Sequence, residues 1–277
     1  VTMREGGGVS QWTSIERGIP GSRSATAPDR RLPRGRHDLP REFVARTQRD
    51  RLIDAMARTV AEKGYVNTSL GDVCAAAGVS TRAYYQHFVD KETCFLAAFE
   101  LGVELMQKSV ATSYGQPGRW PERMRRGLGT LLHILAAEPA FAALAVVEVL
   151  AAGPRALACR RALLASYIDF FAAAPRRAGQ PEVPQVAVEA IIAGVYGVIF
   201  DHVSTGRTAE LPDRLPALTY VVLAPFIGPK AAARRGALYP RRPRGRPRPP
   251  RARPRPPFPP IKGERTWFDL FSACIRP

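Results

Sequence analysis

The chain has 277 residues, 45% of them apolar, and a formal net charge of +17. That length is enough for one large domain or two modest ones around a sizeable apolar core. The charge is uneven: residues 230–277 hold fourteen Lys and Arg against two acids, while residues 46–100 hold seven of each sign. The high net charge therefore does not by itself make the folded part a polyanion binder.

Residues 1–40 are rich in Gly, Arg, Ser and Pro without apolar period and read as a disordered arm. From Phe43 the pattern changes. Leu52, Ile53, Met56, Val60 and Ala61 recur at helical spacing, and Gly64 follows as a C-cap. Ser69 opens a second helix, with Asp72 three places on as the acidic half of a capping box. That helix buries Leu70, Val73, Cys74 and Ala77, and Gly78 marks a tight turn. Ser80 then caps a third, short helix through about His87, and Asp90 opens a fourth that passes Phe95, Phe99 and Leu105.

Apolar helical patterns broken by Pro and Gly continue at about 121–137, 139–152, 155–174, 184–206 and 213–227. No alternating strand pattern is convincing, so the expected fold is all-α. Near Pro229 the pattern stops, and the segment after it becomes Arg/Pro low complexity that favours an extended, solvated chain. The expected organisation is an arm over 1–40, a helix-turn-helix domain over 41–92, a helical domain over 93–229 and a disordered tail over 230–277.

The unit "SLGDVCAAAGVSTRAYYQHFVDKE" is a helix, a Gly-containing turn and a second short helix. In such a motif the second helix enters the major groove of DNA. Thr68, Leu70, Val73, the run Ala77-Gly78-Val79-Ser80, Tyr84-Tyr85, Phe88 and Lys91-Glu92 together resemble the TetR family of bacterial repressors over about residues 46–105. Ala83 departs from the family pattern, which usually has Thr there.

The resemblance implies a three-helix DNA-binding domain followed by a helical ligand-binding and dimerisation domain. It implies that Thr81 and Arg82 face base edges and that Tyr85, His87 and Lys91 meet phosphates, with Ser69 and Ser80 at the helix starts completing the DNA-facing set. The chemistry is consistent with those roles. Arg binds guanine bidentately, and hydroxyl and ammonium groups position a protein on phosphates. Amides at helix starts such as Ser69 and Lys91 suit a phosphate too. Tyr84 matches the phase of Val79 and Phe88 and reads as core.

The implied partners are a double-stranded operator, a second copy of the chain and a small-molecule inducer. Leu135, Tyr167, Phe171, Tyr196 and Phe200 read either as lining of a ligand pocket or as plain core. "AIIAGVYGVIFDHV" and "LPALTYVVLAPFIG" look like the family's last two long helices, which usually form a four-helix dimer interface. Arg34 and Arg36 in the arm, and Arg244 and Arg246 in an "RGRP" run of the tail, are candidate minor-groove contacts. Chance in a biased segment is the better explanation of the "RGRP" run.

Cys74, Cys94, Cys159 and Cys274 form no C-x-x-C pair, and the four histidines have no ligand spacing. Reduced thiols in a cytosolic protein, without metal or cofactor, are expected. No nucleophile–base set, paired carboxylates or phosphate loop is evident, so no enzyme activity is expected. No signal peptide is expected, and the longest apolar run, Ala190–Phe200, is too short to cross a bilayer. The reading is a ligand-responsive repressor. The alternative is an architectural or nonspecific DNA-binding protein that acts through the basic tail.

Overall fold

The computed structural model describes residues 18–23, 39–175 and 182–236. Among them the regular structure is entirely helical. The first helix, α1 (Arg41–Lys63), starts after extended Pro40 and stops at Gly64, whose φ of 77° no β-carbon tolerates easily. It buries Leu52, Ile53, Met56 and Val60 completely or nearly so. Each such side chain contributes about 1.5–3 kcal/mol of hydrophobic stabilisation.

Three further starts are set locally. Helix α2 (Leu70–Ala77) has both bonds of the Ser69–Asp72 capping box. Its C-cap Gly78 is left-handed with φ 60°. Helix α3 (Thr81–Tyr84) is capped by Ser80, and α4 (Lys91–Gly115) by Asp90, each side chain accepting from the backbone N–H three residues on. The expected third helix through His87 is α-helical only to Tyr84. Beyond it Gln86 and His87 bond back to the carbonyls of Ala83 and Tyr84, a tightening common at helix ends.

Helices α5 (Trp120–Ala137), α6 (Pro139–Ala142), α7 (Pro154–Ser166), α8 (Gln185–Ser204), α9 (Leu215–Ile227) and α10 (Pro229–Arg235) build the rest. Glu138 and Pro139 break the chain after α5, and the segment that follows turns away by 104°. The single helix expected over 139–152 is instead one α turn, a π turn at Ala143–Val147 and a 3₁₀ turn at Glu148–Leu150. The same element carries Phe141 into a notch on α4. A β-carbon on Gly102 would lie 2.1 Å from the Phe141 ring, so only Gly admits it. The helix expected over 155–174 gives way to 3₁₀ geometry at Tyr167–Phe171, and α9 is preceded by a 3₁₀ stretch at Thr208–Arg214.

Two sequence boundaries need correction. The helical pattern does not stop at Pro229. Helix α10 runs to Arg235, buries Ala232 and Ala233, and pairs Arg235 with Glu122 of α5. Nor is all of residues 1–40 free of the fold. Residues 18–23 form a turn laid on α1 and α6, with Ile19 packed on the core and Gly21 N–H donating to Asp54 Oδ1 at 2.7 Å. Arg58 donates to the Arg23 carbonyl. Both corrections have one cause. These short segments are too small to show a period, and their apolar groups are buried only by residues distant in sequence.

Helix α8 is long and apolar enough to cross a membrane by length and composition, although its uninterrupted apolar run is not. It packs against the π turn, α9 and the 3₁₀ stretch after Ser166. Cys74, Cys94 and Cys159 are buried and form no disulfide among the described residues.

Candidate nucleic-acid interface and the cavity behind it

Helix α3 has two faces. Tyr84 and Phe88 point inward and are buried, while Thr81, Arg82, Tyr85 and Gln86 are exposed. Tyr84 is core: its hydroxyl donates to the Asp90 carbonyl at 2.9 Å, and its ring meets Phe88 on one side and Tyr85 edge-on at 5.7 Å on the other. Tyr85 is therefore propped outward, 58% exposed, on a fixed aromatic base. Arg51 of α1 braces the turn by donating to the Gly78 carbonyl at 3.3 Å. A short, rigid helix thus offers a guanidinium, a phenol, a hydroxyl and an amide on one surface, which is the donor set that base edges and phosphates accept.

Four of the residues assigned to DNA by resemblance have partners within the fold. Lys91 Nζ donates to the carbonyls of Tyr65 and Thr68, both at 2.8 Å, and sits 4.2 Å from the Tyr65 ring centroid. Burial lowers its pKa. Two of its three protons close the α1–α2 loop. His87 is half-buried and its Nε2 lies 3.3 Å from Gln48 Oε1. Burial, then the charge of Arg49, holds its pKa below the ordinary imidazole value, so it is neutral near pH 7. Its ring meets α1, not the outward surface of α3. The Ser69 N–H donates to Asp72 Oδ2 at 2.9 Å, and Asp72 in turn pairs with Lys63 at 2.6 Å. The Ser80 hydroxyl accepts from the Ala83 N–H at 3.2 Å. Local sequence carries no signal for Gln48 or for the two carbonyls that bind Lys91. Arg34, Arg36, Arg244 and Arg246 lie outside the described residues.

Behind this domain is a cavity of about 120 Å³ between α4, α5, α7 and α8. Leu135, Tyr167, Phe171 and Tyr196 line it; Phe200 does not. On α8 the cavity faces Ile191, Ile192, Val195, Tyr196 and Ile199. Phe200, one residue further round the helix, instead stacks on Tyr196 at 6.4 Å and packs into the core. The π turn supplies Ala145 and Val146 to the cavity wall, and the Tyr196 hydroxyl donates to the Val146 carbonyl at 2.6 Å. One residue past the π turn, the Glu148 carboxylate accepts from the Tyr65 N–H at 2.7 Å. The cavity wall is thus hydrogen-bonded to the same loop that Lys91 closes. The sequence reading singled out neither Glu148 nor Arg160, another wall residue. A charge within the apolar pattern of α7 was the one visible hint.

A family profile described as "Bacterial regulatory proteins, tetR family" matches residues 52–98, from the middle of α1 into α4. That span contains the whole α3 surface together with Tyr65, Thr68 and Lys91, while Gln48 and Arg51 lie just before it. Residues 52–98 carry the DNA-binding domain of the TetR family. The HTH-type transcriptional regulator AcrR of Shigella flexneri is 39% identical over 57 residues, 21% of this chain. The match spans 26% of that relative's length. The TetR-type fold extends further than the sequence match. The fatty acid degradation regulator FadR from Bacillus halodurans superposes with a TM-score of 0.56 at 17% identity, over 65% of this chain and 97% of that one. FadR from Bacillus subtilis, solved with stearoyl-CoA, gives 0.55 at 14% identity over 63% and 97%. At these identities the likeness is one of fold.

Proposed function

We propose that this TetR-family protein is a ligand-responsive repressor acting in the cytoplasm. It binds a palindromic operator as a homodimer and is released when a small apolar molecule fills the cavity. The observation that carries this reading is the bonded continuity from cavity to DNA-facing domain: Tyr196 to the Val146 carbonyl, then Glu148 to the Tyr65 N–H. A ligand can shift operator affinity only if it binds one arrangement better than another. The π turn in the cavity wall is a rare helical geometry that occurs frequently at functional sites. The complex of B. subtilis FadR with stearoyl-CoA supports the idea that this fold accommodates a long apolar chain.

The homodimer is supported by α8 and α9. Val186, Ala190, Ala193 and Gly197 on α8, and Ala217 and Val221 on α9, are exposed stripes of apolar and small residues. Two such helices from each copy would cover one another and align two α3 helices on a two-fold axis. On the DNA, Arg82 and Thr81 read bases and Tyr85 grips phosphate.

Selection of bound DNA from a random pool tests the proposal, using the full chain and a version ending at Gly236. An inverted-repeat motif common to both is the expected result. Arg82→Ala should relax preference at particular base pairs by about 1–3 kcal/mol. A motif without inverted symmetry from a monomeric protein would refute it, as would loss of all sequence preference in the shortened chain.

A further inference from the structure

The cavity wall is apolar except for Arg160 and three tyrosines, Tyr114, Tyr167 and Tyr196. Tyr114 donates to the Phe170 carbonyl and Tyr196 to the Val146 carbonyl. Arg160 is different. Its Nε–H donates to the Tyr196 hydroxyl oxygen at 2.9 Å, and its guanidinium carbon lies 4.2 Å from the centroid of the same ring. No carboxylate among the described residues pairs with it. A guanidinium has five N–H donors in a planar fork, and here one is used. The phenol that holds it is itself committed to a carbonyl, so the cation stands half-buried with no counter-charge among the described residues.

Helix α7 and the first residue of the 3₁₀ turn after it place Arg160, Leu163, Leu164 and Tyr167 along one wall of the cavity. Tyr167 has no hydrogen-bond partner among the described residues, and burial raises its pKa, so it remains a protonated donor. At 1.5 Å per residue it sits about 10 Å from Arg160 along the helix. The site is thus a pre-positioned cation at one point of an apolar channel, with the Tyr196 ring and hydroxyl fixing its orientation.

We propose that the cavity takes an anionic amphiphile: a carboxylate or similarly flat oxyanion head on Arg160, with its apolar body along Leu163, Leu164 and Phe171. This identifies the ligand class for the ligand-responsive reading given above and rests on it. A bidentate carboxylate supplies both the missing counter-charge and two acceptors matched to the fork. A neutral head of the same length would leave the guanidinium unpaired, and a cationic head would repel it.

The test measures binding directly by calorimetry, without DNA, so its outcome is separable from operator recognition. Decanoate, 1-decanol and decyltrimethylammonium are titrated into the full chain and into Arg160→Gln, Arg161→Gln and Leu163→Trp. In the unaltered protein decanoate should bind roughly 10–100-fold more tightly than decanol, and the cation most weakly. Arg160→Gln should bind decanol as before while decanoate falls to the decanol level. Retained decanol binding shows that the variant is folded and its cavity intact. Arg161→Gln, which removes the neighbouring exposed cation outside the cavity wall, should keep the preference. Leu163→Trp, which fills the channel, should bind none of the three.

Equal affinity for decanoate and decanol in the unaltered chain would overturn the proposal. So would a preference that survives in Arg160→Gln, one that disappears in Arg161→Gln, or binding that survives in Leu163→Trp. Absence of binding by all three probes would also overturn it, and would leave the DNA-binding reading to stand or fall on the operator selection.

Discussion

Lys91→Met separates a structural lysine from a phosphate contact. Met keeps most of the apolar stem and removes the ammonium. The ammonium donates to the carbonyls of Tyr65 and Thr68 at 2.8 Å each and lies over the Tyr65 ring. A hydrogen bond to a charged group contributes about 1.5–3 kcal/mol when shielded. The site is only half-buried and water replaces part of the loss, so the expected cost is about 2–4 kcal/mol for the pair. For a chain of this size that corresponds to a fall in Tm of about 5–15 °C. The assay is thermal unfolding of Lys91→Met and Lys91→Arg, followed by operator affinity across a salt series at a temperature where both are folded. Stability should fall in the Met variant, and the salt slope should stay within its error. A slope flatter by about 0.9, with stability unchanged, would refute the assignment and make Lys91 a phosphate contact.

Gly102→Ala should destabilise by about 1–3 kcal/mol, because its β-carbon would lie 2.1 Å from the Phe141 ring; urea unfolding measures it, and adding Phe141→Leu should recover part of the loss. His87 has a folded pKa below its unfolded value through burial and Arg49. As pH falls below about 6.5 the unfolded chain takes up a proton that the folded chain resists, so stability declines until the folded pKa is passed. Denaturation curves of His87→Gln between pH 5 and 7 should be flatter than those of the parent, and parallel curves would show that His87 does not titrate differently in the two states. Removing residues 1–23 should lower stability measurably, since it strips Ile19 from the core and leaves Asp54 without the Gly21 N–H; an unchanged unfolding midpoint would show that the docked turn contributes nothing.

The sequence by itself determined the helices and the joints of the DNA-facing domain. Ser69 with Asp72, Ser80, Asp90, Gly64 and Gly78 act through bonds spanning three or four residues or through their own φ angle, so spacing along the chain is sufficient to find them. Tyr84 and Phe88 were placed inward by phase alone, for the same reason. Tertiary structure decided what the polar groups do. Lys91, His87 and Ser69 sit on the motif where a DNA contact is expected. Lys91 meets carbonyls 23 and 26 residues away, and His87 meets a side chain 39 residues away. The Ser69 N–H is taken three residues on by Asp72, whose acidic half of the capping box was already legible. Long side chains rotate toward whichever partner the fold brings near, and no local pattern records that partner. The same holds for the cavity. Apolar periodicity marked α7 and α8 as buried, but only their packing against the π turn left a space between them, with the charge of Arg160 on its wall and no carboxylate beside it among the described residues.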